Sequence, residues 1–163
     1  MKYSHQIRHK VLGYEEMRLQ INRWRFLEKK ISFLEGRFDI LYPGHLELLS
    51  QAAAMVDILV AGVYSDRSFE GEEQANKPVF DEHFRAALIS GFVFVDAVII
   101  FDQDALQELL VMISPDIFVK AGSLKIDDIA GADEVIRRGG AVKIFPEIKG
   151  LSGDKLDKKF YSF

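Results

Sequence analysis

Residues 36–45, Gly-Arg-Phe-Asp-Ile-Leu-Tyr-Pro-Gly-His, combine residue types and a spacing that suit phosphate binding. They follow a run at 30–34 that is typical of a β-strand, and they precede a helix-like run at 46–55. The first N–H groups of a helix have no partner within the helix, and the helix dipole places positive potential there. An imidazole in that turn, here His45, can add a charged donor to a phosphate oxygen. The stretch therefore predicts nucleotide chemistry.

The elements that must position this stretch alternate between apolar strands and helices. The sequence predicts strands at 30–35, 57–63, 95–101, 116–120 and 141–145. It predicts helices at 44–55, at 81–91, at 104–113 with Asp104 as the N-cap, and at 126–138 as one helix or two short ones. This alternation is typical of the α/β class with a doubly wound parallel sheet, here of five strands. Ligands of such sheets bind beyond the carboxyl ends of the strands, which is where residues 36–45 leave the first strand.

Three further segments complete the predicted organisation. The helical spacing of Met17, Ile21 and Trp24 predicts an amphipathic helix, so residues 1–29 are expected to form a helical lead-in to a main domain at 30–163. The polar stretch at 66–77 is rich in Glu and Gly and predicts a mobile loop, long enough to have a function. A closing helix is predicted over 154–160.

The composition excludes several classes of protein. A net charge of -4 argues against a general nucleic-acid binder, and the absence of cysteine excludes a disulfide framework and a thiolate zinc site. No stretch approaches the roughly 20 apolar residues that span a bilayer, and residues 1–8 lack the apolar core of a signal peptide. We therefore expect a cytoplasmic protein that binds neither membrane nor nucleic acid. His5, His9 and His83 are scattered without ligand spacing, so no metal site formed by the protein alone is predicted.

The glycine-histidine motif carries a family resemblance. Residues 36–45 resemble the pattern Gly-x-Phe-Asp-x-x-His-x-Gly-His of cytidylyltransferase-like nucleotidyltransferases. Similar members are the adenylyltransferase domain of heptose 1-phosphate activating enzymes and glycerol-3-phosphate cytidylyltransferase. The likeness spans roughly residues 14–160 and includes Val-Tyr-Ser-Asp at 63–66, Lys-Pro at 77–78 and Pro-Asp-Ile-Phe-Val-Lys-Ala-Gly at 115–122. It implies a Rossmann-like nucleotidyltransferase fold.

The resemblance also implies a reaction and a set of site residues. A phosphate oxygen of a sugar or polyol phosphate would attack the α-phosphorus of ATP or CTP and release pyrophosphate, with Mg²⁺ carried by the nucleotide. The catalytic residues would be His45, Lys77 and Lys120. The nucleotide-binding residues would be Phe38, Asp39, Tyr42, Gly44, His45, Arg85 and Ser152. The partners would be a nucleoside triphosphate and a phosphorylated small molecule, and a homodimer is expected because symmetric dimers are the commonest oligomers.

Departures from the family pattern leave other functions open. Tyr42 stands at the first histidine of the motif and cannot become cationic. Gly153 and Asp154 stand at two threonines, while Glu35 and Arg37 replace an asparagine and a small residue. These changes favour, as the alternative, a catalytically impaired relative that acts as a nucleotide-binding or protein-interaction module. They also fit an enzyme with a changed acceptor.

Two of the predicted site residues have a simple structural explanation as well. Lys77 lies beside a proline in a polar loop and can be a solvated side chain. Arg85 lies in a predicted helix and can form an ion pair on its surface, for example with Glu82.

Overall fold

Five parallel strands form one sheet in the computed structural model, which describes residues 9–73 and 77–146. The strands are β1 (Ile31–Gly36), β2 (Ile58–Tyr64), β3 (Ala97–Phe101), β4 (Ile117–Ala121) and β5 (Ala141–Phe145). Their order across the sheet is β3-β2-β1-β4-β5, and every neighbouring pair is parallel. The chain therefore changes direction across the sheet between β1 and β4, the point where ligands bind in such folds. The predicted doubly wound parallel sheet is confirmed.

Helices cover both faces of this sheet within the described residues. They are α1 (Tyr14–Phe26), α2 (Pro43–Ala54), α3 (Glu82–Ser90), α4 (Leu106–Ile113) and α5 (Ala132–Arg137). Short 3-10 turns lie at Asp66–Phe69, Gln103–Ala105 and Ile126–Asp128. None of the described helices is long and apolar enough to cross a membrane.

The alternation of side chains along β1 builds two separate cores. Phe33 points into a cluster with residues of α1, α4 and α5, such as Met17 and Leu109. Leu34, the next residue, points to the other face and packs with Leu49 of α2. Successive strand residues face opposite sides, so β1, β2 and β3 are buried on both faces, whereas β5 at the sheet edge is partly exposed. The two cores cover both faces of the sheet. A ligand can therefore reach the sheet at the carboxyl ends of its strands.

Aspartates fix the opposite, amino edge of the sheet. The carboxylate of Asp116 accepts a hydrogen bond of 2.7 Å from the backbone N of Ile31, and that of Asp96 accepts one of 2.8 Å from Leu59 N. These bonds satisfy donors at strand ends that no neighbouring strand reaches. They fix the first residues of β1 and β2, and thereby the position of the carboxyl end of each strand.

Most predicted elements are observed within two residues, and two details differ. Asp104 does not cap α4, because a 3-10 turn precedes that helix and Asp102 holds the position before the turn. The stretch predicted as a loop at 66–77 begins with a 3-10 turn that buries Phe69. The region at 126–138, predicted as one helix or two short ones, forms two short pieces, a 3-10 turn and α5, in agreement with the second alternative. The closing helix at 154–160 lies outside the described residues.

Candidate active site

A cleft of about 220 Å³ opens at the carboxyl edge of the sheet, between the ends of β1, β4 and β5 and the first turns of α2. It brings together five of the residues predicted for the site: Phe38, Tyr42, Gly44, His45 and Lys120. Its position coincides with the change of direction between β1 and β4. The geometry of the sheet and the glycine-histidine motif therefore converge on one place.

The turn after β1 and the first turn of α2 place the start of α2 at this cleft. Phe38 is buried and adopts a positive φ of 49°, a conformation that costs energy for a residue with a side chain. Tyr42 is the extended N-cap residue of α2, and Pro43 occupies the first helical position, where its missing N–H is no loss. The backbone N of His45 donates to Tyr42 O at 2.9 Å and closes the first turn.

Gly44 is required by the ring of Tyr42. A Cβ atom at Gly44 would lie 2.4 Å from Cε2 of Tyr42, which is far inside van der Waals contact. The phenol ring therefore lies against the first turn of α2. Because a glycine stands there, the ring and the backbone N–H groups of the turn can approach each other closely.

His45 is neutral in the free protein at neutral pH. Burial lowers the pKa of its imidazole to about 4, since a charged ring is poorly solvated there. Nδ1 accepts a hydrogen bond of 3.4 Å from the backbone N of Tyr42, so the ring proton is assigned to Nε2. The ring centroid of His45 lies 4.2 Å from that of Tyr42 and 5.7 Å from that of Phe38. The charged donor expected from the sequence is therefore a neutral N–H donor until an anion arrives, whose charge would raise the pKa.

Lys120 meets a buried carboxylate at the end of β4. Its ammonium pairs with Glu35, whose side chain is only 2% exposed, whereas 22% of the Lys120 side chain is exposed. The hydroxyl of Tyr64 also hydrogen-bonds to Glu35, and burial, followed by the charge of Glu35, raises the pKa of that phenol. The cation at this edge of the cleft is thus held and neutralised by Glu35. Sequence reasoning treated Glu35 only as a departure from the pattern and missed this contact.

Asp39 joins the turn after β1 to the segment before α3. Its carboxylate accepts hydrogen bonds from Val79 N at 2.8 and 2.9 Å and from Phe80 N at 3.0 Å. These bonds hold the turn after β1 against the segment before α3. Asp39 itself does not line the cleft. Its predicted contact with nucleotide stays a prediction.

Lys77 and Ser152 are not brought into the cleft by the described structure. Lys77 is partly buried and lines a separate depression with Phe69 and Pro78, beyond the end of β2. Ser152 lies outside the described residues. The catalytic role of Lys77 and the phosphate contact of Ser152 stay predictions.

Arg85 is a buried structural residue. Its side chain is fully buried, and its guanidinium donates to Asp66 Oδ1 at 2.6 Å, to Arg37 O at 2.7 Å and to Phe80 O at 2.9 Å. It therefore pairs with Asp66 rather than with Glu82, and it lies inside the fold rather than on a helix surface. With three acceptors already bound, its geometry does not favour the predicted contact with nucleotide.

Residues 33–148 match the family model described as cytidylyltransferase-like. The chain belongs to this family. It is 40% identical over 142 residues to the bifunctional protein HldE of Hyphomonas neptunium, covering 87% of this chain and 29% of that protein. It is 38% identical over 150 residues to the bifunctional protein HldE of Koribacter versatilis, a match that covers 92% of this chain and 31% of that protein. The chain thus spans about 30% of the length of these relatives.

Solved structures agree with this assignment. A lipopolysaccharide core biosynthesis protein from Thermoplasma volcanium is 29% identical, with a TM-score of 0.61, and the match covers 74% of this chain and 98% of that one. A pantoate-beta-alanine ligase from Francisella tularensis is 11% identical, with a TM-score of 0.63, and the match covers 88% of this chain and 69% of that one. This second likeness concerns the fold alone. The predicted family resemblance and the Rossmann-like nucleotidyltransferase fold are confirmed.

The described residues contain no group of three or more His, Cys, Asp or Glu side chains that could hold a metal ion. Glu35 is already paired with Lys120 and Glu47 is an exposed helix residue, so the acids at the cleft do not converge. Magnesium that enters with a nucleotide takes its ligands from phosphate oxygens and water. The donor set of the cleft fits that arrangement, and the Mg²⁺ requirement stays a prediction.

Proposed function

We propose that the protein is a nucleotidyltransferase that transfers a nucleoside monophosphate from ATP or CTP to a sugar or polyol phosphate and releases pyrophosphate. The observation that carries the proposal is the cleft, where the first turn of α2, the Nε2–H of His45 and the ammonium of Lys120 meet at one sheet edge. Membership of the cytidylyltransferase-like family supports it. The geometry and the family therefore point to the same chemistry.

The reaction requires the protein mainly to position the two substrates and to stabilise the negative charge on the phosphates. An oxygen of the acceptor phosphate forms a bond to the α-phosphorus, and the bond from that phosphorus to the bridging oxygen breaks as pyrophosphate leaves. Charge spreads over the phosphate oxygens during this step, so donors aimed at them stabilise the transition state. The N–H groups of α2 and His45 Nε2–H would donate to the phosphates. Lys120, while paired with Glu35, would donate a remaining N–H to a phosphate oxygen from the end of β4. Mg²⁺ would neutralise the phosphates that it enters with.

A sugar phosphate is the acceptor class that we favour. The Thermoplasma volcanium relative is named as a lipopolysaccharide core biosynthesis protein, and lipopolysaccharide cores are built from sugars. Two test acceptors follow from the family resemblance, heptose 1-phosphate and glycerol 3-phosphate. The choice between ATP and CTP, the cytoplasmic location and the homodimer stay predictions.

Release of pyrophosphate tests the proposal. ATP and CTP are each combined with heptose 1-phosphate or glycerol 3-phosphate in the presence of Mg²⁺, and His45→Ala serves as the control. We expect release with one pair of substrates, and a rate lower by on the order of a hundredfold or more in His45→Ala. Nucleotide binding without turnover in all four combinations would instead favour the catalytically impaired relative. Neither binding nor turnover would refute the proposal.

A further inference from the structure

Arg37 is a partly buried arginine whose guanidinium forms no hydrogen bond or ion pair with the described residues. Its Nε is fully buried and has no acceptor among the described residues. Ion pairs with carboxylates hold six other arginines: Arg18, Arg25, Arg67, Arg85, Arg137 and Arg138. A buried charged donor without an acceptor is unfavourable and rare. Arg37 is therefore a cation of this sheet edge for which the described residues supply no acceptor.

Arg37 lies directly beside the nucleotide cleft but faces away from Lys120. Its chain neighbours Gly36 and Phe38 both line the cleft. Its own guanidinium lies 5.0 Å from the ring centroid of Phe69, a residue that follows β2. Since β2 flanks β1 on the side opposite β4, Arg37 and Lys120 stand on opposite sides of the end of β1.

The position of Arg37 is fixed before any ligand binds. Its carbonyl oxygen accepts a hydrogen bond of 2.7 Å from the buried guanidinium of Arg85. Phe69, on whose ring the guanidinium of Arg37 stacks, is only 7% exposed and also packs edge-on against Tyr64. A guanidinium stacked on an aromatic ring keeps the N–H groups of its edge available in a rigid fork. That fork matches two oxygens of one phosphate group.

The proposed transfer defines what such a group would bind. The attacking oxygen of the acceptor phosphate must come within about 3–3.5 Å of the α-phosphorus, so the acceptor has to lie against the nucleotide. The nucleotide cleft occupies the β4 side of β1, and Arg37 is a cation next to it on the β2 side. The acceptor phosphate is a dianion at neutral pH and lacks a cation of its own in the cleft, because Lys120 is neutralised by Glu35.

We propose that Arg37 binds the phosphate of the acceptor on the β2 side of the cleft and thereby selects phosphorylated acceptors. The proposal rests on the transferase function for the identity of the ligand. As an anion site it stands on the geometry of Arg37 and Phe69 alone. The remaining oxygen of the bound phosphate would then face the α-phosphorus across the end of β1.

Calorimetric titration with inorganic phosphate tests this site without turnover. The titrations use protein saturated with the α,β-methylene analogue of ATP or CTP and Mg²⁺, so the nucleotide phosphates already occupy the cleft. We expect Arg37→Gln to weaken phosphate binding by about tenfold or more, and Arg37→Lys to weaken it less, because lysine keeps the charge but loses the fork. Arg23→Gln is the matched control, since Arg23 is exposed on α1, and its affinity is expected to stay within about twofold of the wild type.

Several results would overturn the assignment. It fails if the wild type binds no phosphate at tens of millimolar, if Arg37→Gln binds phosphate as the wild type does, or if Arg37→Gln loses the nucleotide analogue equally. Arg37→Lys and thermal melts of each variant separate lost binding from lost folding. Arg37-dependent binding in a protein that releases no pyrophosphate would refute the transferase function while retaining the anion site. If turnover is found, Arg37→Gln must raise KM for the acceptor while KM for the nucleotide stays within about threefold.

Discussion

Removing either member of the Glu35–Lys120 pair will have unequal effects on stability, because the two side chains are buried to different degrees. Glu35 is 2% exposed and Lys120 is 22% exposed in their side chains. Lys120→Met leaves a carboxylate inside the protein with the Tyr64 hydroxyl as its remaining partner. Glu35→Gln leaves an ammonium that can turn toward water, and the amide can still accept from Tyr64. The first substitution is therefore the more damaging one.

The magnitude follows from the burial. Two unit charges about 4 Å apart interact by about 4 kcal/mol at an effective dielectric constant of about 20, and breaking a buried pair costs about 3–5 kcal/mol. We expect the free energy of unfolding to fall by about 3 kcal/mol in Lys120→Met and by about 1–2 kcal/mol in Glu35→Gln. The double variant should be more stable than Lys120→Met alone, because it removes the uncompensated carboxylate. For a domain of this size, about 3 kcal/mol corresponds to a fall in Tm of about 6–12 °C.

Urea unfolding of the two single variants and the double variant measures this coupling. Arg18→Met is the control, since Arg18 and Glu15 form a pair whose side chains are 56% and 77% exposed. That substitution should change the free energy of unfolding by less than about 1 kcal/mol. If the effects of Glu35→Gln and Lys120→Met simply add, or if Lys120→Met is as stable as the wild type, the buried pair is not formed as described.

Three further predictions concern the turn between β1 and α2. Gly44→Ala should lower the affinity for nucleotide by about tenfold or more, because its Cβ would lie 2.4 Å from the Tyr42 ring. Calorimetry measures this affinity, and Gly44→Ala combined with Tyr42→Ala should regain part of it because the clash is removed. Equal affinity in the wild type and in Gly44→Ala would contradict this. The folded-state pKa of His45, about 4, lies below its unfolded value near 6.5, so the unfolded chain binds more protons and stability should fall as pH drops from about 6.5 to 4. After allowance for partial exposure the loss should reach roughly 2 kcal/mol and be absent in His45→Gln, as measured by urea unfolding at several pH values; identical pH profiles would refute the burial of the ring. Asp39→Ala should lower the free energy of unfolding by about 2 kcal/mol, because Val79 N and Phe80 N lose their acceptor, and should speed proteolysis near that segment; unchanged cleavage there would show that the link is not formed.

Most of the sheet was predictable from the sequence because β1, β2 and β3 are buried on both faces. The apolar run of 57–63 and the run of 141–145, which Lys143 interrupts, lie within one residue of β2 and β5 as observed. The start of α2 was equally accessible, since Pro43 and Gly44 mark a helix beginning next to a tight turn. The predicted N-cap of α4 was wrong, because an aspartate such as Asp104 suits either an N-cap or the 3-10 turn that precedes the helix here.

The chemistry of the site was less accessible because it depends on tertiary contacts. Glu35 and Lys120 are 85 residues apart in the chain, and only the pairing of β1 with β4 makes them neighbours. The neutral state of His45 results from burial that no local pattern encodes. Arg85 had the residue type of a phosphate ligand, yet its guanidinium is used inside the fold. Residue types therefore indicated the place of the site, while packing decided which groups are available there.

The most direct measurement of the central claim is ³¹P NMR of the reaction mixture, which shows where the α-phosphate goes. With ATP or CTP, Mg²⁺ and heptose 1-phosphate or glycerol 3-phosphate, we expect a pair of coupled resonances from a new diphosphate that links nucleoside and acceptor. Free pyrophosphate should appear in equal amount, and both should be strongly reduced in His45→Ala. Formation of nucleoside monophosphate without the coupled pair, or equal product in His45→Ala, would contradict transfer to a phosphorylated acceptor in this cleft.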